Sequence, residues 1–182
     1  MKYHLLFVVL LAIVVVSGSM NSAFGPLYMK YGSIKGESTA QEHDEWIELN
    51  SFQFGVGRSI STGGSGSPRE ASAPSLSEIV VTKTMDKSSV PLFKEALIGK
   101  GDQQVMIHLT EQPQDKPQTY YQIELENTLI SGFSISSGGD RPTESVSLSF
   151  TKIQSIYTVF DKTGIKGESF TGGYDLVEQK GT

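Results

Sequence analysis

The sequence predicts a mainly β protein, a barrel or closed sandwich of seven or eight strands with one short helix. Three observations carry that prediction. Apolar residues return at every second position in run after run, the period of a strand with one buried face. Nineteen glycines and many serines and threonines favour turns and strands over long helices. Only one stretch, near residues 88–99, carries helical start and stop signals.

The elements follow in order. Residues 27–34 read as a first strand closed by a turn at Lys35-Gly36-Glu37, and the polar residues 38–44 as a loop. Residues 46–56 form a long strand in which Trp46, Phe52, Phe54 and Val56 share one parity and Ile47 and Leu49 the other. That split predicts a bulge near Asn50 or burial of both faces. Residues 57–77 hold almost no large apolar side chain and read as a flexible loop. Strand character resumes over residues 78–85. A helix follows, capped by Ser88 or Ser89, with Pro91 in its first turn. Its apolar stripe of Leu92, Phe93, Ala96 and Leu97 is expected to pack on the sheet, and Gly99 and Gly101 end it. Strands centred on Val105–Ile107–Leu109, Tyr121–Ile123–Leu125 and Leu129–Phe133–Ile135 come next, then a turn at residues 138–142. Val146, Leu148 and Phe150 alternate cleanly, and the phase flips at Thr151-Lys152 to Ile153, Tyr157 and Val159. A flip of this kind marks a bulge or a strand bending between two sheets. Residues 174–177 offer a short closing strand. The pentapeptide Ile34-Lys35-Gly36-Glu37-Ser38 recurs at Ile165-Lys166-Gly167-Glu168-Ser169 without a tandem period.

At the N-terminus, Lys2 and His4 precede an apolar run over residues 5–16, followed by small residues. This is the order of a cleavable secretory signal, and the run is too short to cross a bilayer. It predicts export to the periplasm or medium, a mature N-terminus between Ser19 and Phe24, and no stable membrane insertion afterwards. Residues 1–23 are therefore set apart from a single domain over residues 24–182. Fifteen basic against 20 acidic residues, a net charge of −5, argue against nucleic acid or an anionic membrane as partner. The absence of cysteine excludes disulfides, thiolate metal sites and thiol nucleophiles.

Catalytic patterns are thin. His43 lies among Glu42, Asp44 and Glu45 and reads as a solvated loop residue; His108 falls on the polar parity of its strand and reads as exposed. Ser65 within its glycines lacks the strand an esterase elbow needs, and the same glycines lack the Lys-Ser/Thr end of a phosphate loop. Gly55-Val56-Gly57 lacks the third glycine and the helix of a dinucleotide site. Glu124 and Glu126 share a strand face, a pairing that alternation on a solvated face produces commonly. No catalytic residue, cofactor or metal is predicted.

Taken together, several segments resemble haemolysin-coregulated protein (Hcp), the tube-protein family of type VI secretion systems. They are Tyr28-Met29-Lys30-Tyr31, residues 34–38, His43 with Trp46-Ile47-Glu48-Leu49, Ser51-Phe52-Gln53-Phe54-Gly55, residues 82–89, Leu129-Ile130-Ser131, residues 140–150 and Tyr174-Asp175-Leu176. The resemblance implies a two-sheet β-barrel with one flanking helix and no catalysis. It implies homohexameric rings, stacked into a hollow tube through an extended loop, with secretion-system components or effectors as further partners. Residues 57–77 are the natural loop, which makes Arg58, Ser59, Ile60, Arg69 and Glu70 candidates for ring stacking. Arg141 and Glu144 are a candidate ion pair fixing the turn into the strand of Val146. The secretory signal favours a second reading, an exported Hcp-like binding module of the envelope or medium, outside any contractile machine.

Overall fold

A computed structural model describes residues 24–61, 70–112 and 117–182. The chain runs β1 (Phe24–Tyr31), β2 (Ile47–Leu49), β3 (Ser51–Gln53), β4 (Val56–Gly57), β5 (Ser75–Leu76), β6 (Ile79–Thr84), α1 (Ser89–Ile98) and β7 (Gln103–Glu111). It continues through β8 (Gln118–Ser136), β9 (Thr143–Ser149), β10 (Lys152–Phe160), β11 (Lys166–Asp175) and β12 (Lys180–Gly181). Two antiparallel sheets result. The larger has the order β12-β11-β10-β8-β7-β1-β2; the smaller runs β3-β6-β9-β8.

Strand β8, 19 residues long, belongs to both. Its first half pairs with β7 and β10, and its second half, from Leu129, pairs with β9. The chain turns the corner at Asn127, whose φ of 50° lies in the left-handed region that Asn tolerates better than most residues. Asn127 Nδ2 donates to Thr151 Oγ1 at 2.8 Å and so ties this corner to the one where the chain leaves β9 for β10. The phase flip at Thr151-Lys152 is that second corner. A third lies at Asn50, between β2 in one sheet and β3 in the other, where Asn50 N donates to the Thr82 carbonyl.

The core fills the space between the sheets. Ile47, Met29, Ile107 and Ile123 lie side by side across β2, β1, β7 and β8 and are fully buried. From the other sheet Ile79 and Leu148, and Val81 and Val146, face them in register. Along the strands these side chains alternate with less buried ones, except at Tyr28, which is buried on the outer face.

The sheets do not close into a barrel, which corrects the architecture expected from sequence. The end strands β2 and β12 of the larger sheet do not pair with each other, and neither do β3 and β8 of the smaller one. Between the margins lies a groove walled by Phe54, Val56, Pro74 and Leu76 on one side and by Ile153, Ser155, Gly172, Gly173 and Tyr174 on the other. Ser155, Gly172 and Gly173 give that wall little side-chain volume to bridge the gap. Alternation and turn spacing report strand number, and they are the same in an open sandwich and a closed barrel.

Helix α1 also differs from expectation. Leu92 is buried and Ala96 packs on the core, but Phe93 and Leu97 face outward. Neither serine caps it through its side chain: Ser88 Oγ donates to Asp86, and Ser89 Oγ to Glu144.

Candidate assembly site

The buried polar chemistry sits where β6, β9 and α1 meet. Lys83 and Glu144 are register partners on neighbouring strands and share the parity of Val81 and Val146, so both side chains point into the core. Both are fully buried. Lys83 Nζ lies 2.8 Å from Glu144 Oε2 and 2.7 Å from Asp86 Oδ1, and donates to the Thr84 carbonyl at 2.9 Å. Ser89 Oγ donates to the same Glu144 oxygen at 2.9 Å, binding the first turn of α1 to the sheet. A buried ion pair needs this density of hydrogen bonds to offset desolvation. The other Glu144 oxygen, Oε1, has no hydrogen-bond partner among the described residues.

Arg141 and Glu144 are thus not brought together. Glu144 turns inward to Lys83, while Arg141 lies on the surface 3.6 Å from Glu37. The sequence held the signal: Glu144 shares the parity of Val146, Leu148 and Phe150, as Lys83 shares that of Ile79 and Val81.

A second polar cluster covers the outer face of the larger sheet. The loop following β1 folds back over that face, because Gly36 lies so close to the Trp46 carbonyl that any Cβ there would collide with it. Lys35–Glu45 at 2.6 Å closes the loop on itself, and Glu37, accepting from the Lys87 amide at 2.9 Å, ties it to the turn before α1. His43, 2% exposed, stacks on Tyr28 with ring centroids 4.3 Å apart. Its Nε2 shares a hydrogen bond of 2.9 Å with His108 Nδ1, and Trp46 lies against both imidazoles. Burial pushes both imidazoles below their ordinary pKa, His108 to about 4, with the neighbouring His43 adding to its shift. The solvated-loop reading of His43 and the exposed reading of His108 are both corrected: His108 does face outward from its strand, but the loop roofs it over. Among the described residues no group of three His, Cys, Asp or Glu side chains is placed to hold a metal.

The segment 57–77 starts and ends as a narrow ribbon. β4 pairs with β5, Ile60 bridges Ala71, and Ser61 N and Ser72 N donate to the Glu70 and Ser59 carbonyls. Arg58 Nε donates to the Ser72 carbonyl at 2.8 Å, so this guanidinium braces the ribbon. Ile60 is exposed. Arg69 lies outside the described residues. The repeated pentapeptide has two unlike settings: residues 34–38 anchor the folded-back loop, whereas residues 165–169 run onto β11, exposed throughout.

Sheets whose margins do not meet, a short two-stranded ribbon and polar groups spent on internal structure define a class: a β-rich assembly subunit. Comparison with known proteins places it. Residues 28–157 match the family described as "Type VI secretion system effector, Hcp". The protein hcp1 of Pseudomonas aeruginosa is 31% identical over 142 residues, covering 77% of this chain and 87% of that protein. A solved structure of a type six secretion system protein superposes with a TM-score of 0.80 at 25% identity, covering 88% of this chain and all of that one. Hcp1 from Salmonella typhimurium gives 0.70 at 25% identity, over 86% and 98% of the two chains.

The chain belongs to the Hcp family of type VI secretion proteins. It is a structural, tube-forming subunit and not an enzyme. Membership also overturns the localisation read from Lys2, His4 and residues 5–16. Hcp proteins are secreted directly by the type VI apparatus and not by a classical N-terminal signal peptide. Residues 1–23 lie outside the described residues.

Proposed function

We propose that residues 24–182 act as one domain that assembles into a homohexameric ring, and that rings stack into a tube through the segment of residues 57–77. The observation that carries this reading is the set of sheet margins at β2, β3, the second half of β8 and β12 that have no strand partner among the described residues. Free strand edges invite uncontrolled pairing, and a ring of head-to-tail contacts covers them and closes on itself. The segment supports the stacking role: Ile60 is exposed on it. Long surface loops cost little to close, so the subunit folds without the ribbon's tip. Components of the secretion apparatus, or effectors carried with the ring, are its further partners.

Light scattering on the purified chain tests the ring, with a mass six times 19.8 kDa expected. A strict monomer at high micromolar concentration refutes it. Shortening residues 62–73 is expected to leave single rings and abolish stacks in electron micrographs. Rings that still stack after this deletion would remove the ribbon from the contact.

A further inference from the structure

Two apolar patches on this subunit are only partly covered within it: Phe93 meets Phe133 and Tyr157 meets Tyr120, yet large apolar residues of both remain exposed. One is the outer face of α1, where Val90, Phe93 and Leu97 fall on a single stripe at helical spacing; Val90 is 75% and Leu97 66% exposed. This stripe lies beside the free edge of β8, since α1 packs on that strand and Phe93 meets Phe133 at 5.8 Å.

The other patch is the far end of the larger sheet's inner face. Leu49, Leu27, Leu109, Tyr121, Tyr157 and Phe170 form one cross-strand row over β2, β1, β7, β8, β10 and β11. Burial falls steadily along it, from 6% exposed at Leu49 to 46% at Tyr157 and 54% at Phe170. Tyr157 and Val159 keep the parity of buried Ile153. This is therefore core-type surface that the smaller sheet does not reach, and it continues the open groove.

Resting on the ring reading above, we propose that the outward stripe of α1 in one subunit docks on the Tyr157–Val159–Phe170 patch of the next copy of this chain. Area supports a second copy as the occupant. Four large apolar residues per patch, each at least 41% exposed and with Ile98 and Ile165 counted in, together supply about 400 Å² on each side, near the apolar share of a standard interface of about 1,600 Å². Charge agrees. Lys94 lies within the stripe and Glu168 two residues before Phe170, and neither has an ion pair among the described residues. The patches are different and sit apart on the fold, so the contact is head-to-tail and propagates around a ring.

The test uses the full chain with two variants, Val90→Glu/Leu97→Glu and Phe170→Glu. All three positions are exposed, so both variants are expected to keep the wild-type far-ultraviolet spectrum; Leu97→Ser and Phe170→Ser replace either that does not. Each variant alone is expected to run as a monomer by light scattering at concentrations where wild type is a ring. An equimolar mixture, retaining one intact pair of patches, is expected to give a dimer and nothing larger. A variant that alone keeps the wild-type mass, or a mixture that stays monomeric, overturns this pairing while leaving the ring reading intact. A monomeric wild type overturns both and gives the patches to a different protein.

Discussion

Two imidazoles whose facing nitrogens lie 2.9 Å apart share one proton between them, and a second proton on that axis destroys the contact. The contact thus excludes two imidazolium ions at once, and burial beside Tyr28 and Trp46 disfavours charge on either ring. An unfolded histidine titrates near 6.5, whereas both are depressed in the fold, His108 to about 4. Below 6.5 the unfolded chain takes up protons that the folded one refuses, so stability is full above that pH and falls as the pH drops towards 4. Urea midpoints between pH 7.5 and 5 are expected to decline, and His108→Gln to flatten that decline; Trp46 fluorescence reports the loop directly. Lys83 and Glu144 make a different prediction. Lys83→Met strands a buried carboxylate and is expected to cost about 3–5 kcal/mol, while Lys83→Met/Glu144→Leu recovers most of it. Denaturant titration of the three proteins checks this. The pair was half legible in the sequence. Parity places each side chain inward, but their meeting depends on a register between residues 61 apart. His43 carried no such signal, because its burial comes from a loop folding over a sheet it does not belong to.

At the scale of elements, the strands whose inner faces are fully covered were the legible ones. β6, β7 and β9 alternate cleanly because one face of each is core. β11 was read only at its end, since residues 166–172 are exposed on both faces and show no apolar alternation. The apolar stripe of α1 was visible, but its direction was not: the residues that suit a buried helix face also suit a face turned to another molecule. The expected division of β8 into two strands points to the Asn127 corner. Asn127→Val forces a β-branched residue into a left-handed backbone and loses the bond to Thr151. It is expected to destabilise by about 2 kcal/mol or more, while Asn127→Gly spares the strain and loses only the side-chain bond. Thermal unfolding of the two variants separates these contributions.

For the whole molecule, composition and periodicity reached the β-rich sandwich with its single helix but not its openness, because closure depends on margins that meet or miss in space. The family motifs proved to be the structurally committed segments: residues 82–89 and 140–150 contain the Lys83–Glu144 network, and residues 34–49 the loop clamped over the sheet. One feature of this framework governs how it can come apart. Because β8 is a continuous main chain serving both sheets, neither sheet can melt while the other keeps its full ladder of bonds. The subunit behaves like two panels hung on one rail. Trp46 fluorescence, which watches the larger sheet, and far-ultraviolet dichroism, which watches both, are expected to trace a single coincident transition in urea. A subunit of this kind is either wholly built or wholly undone.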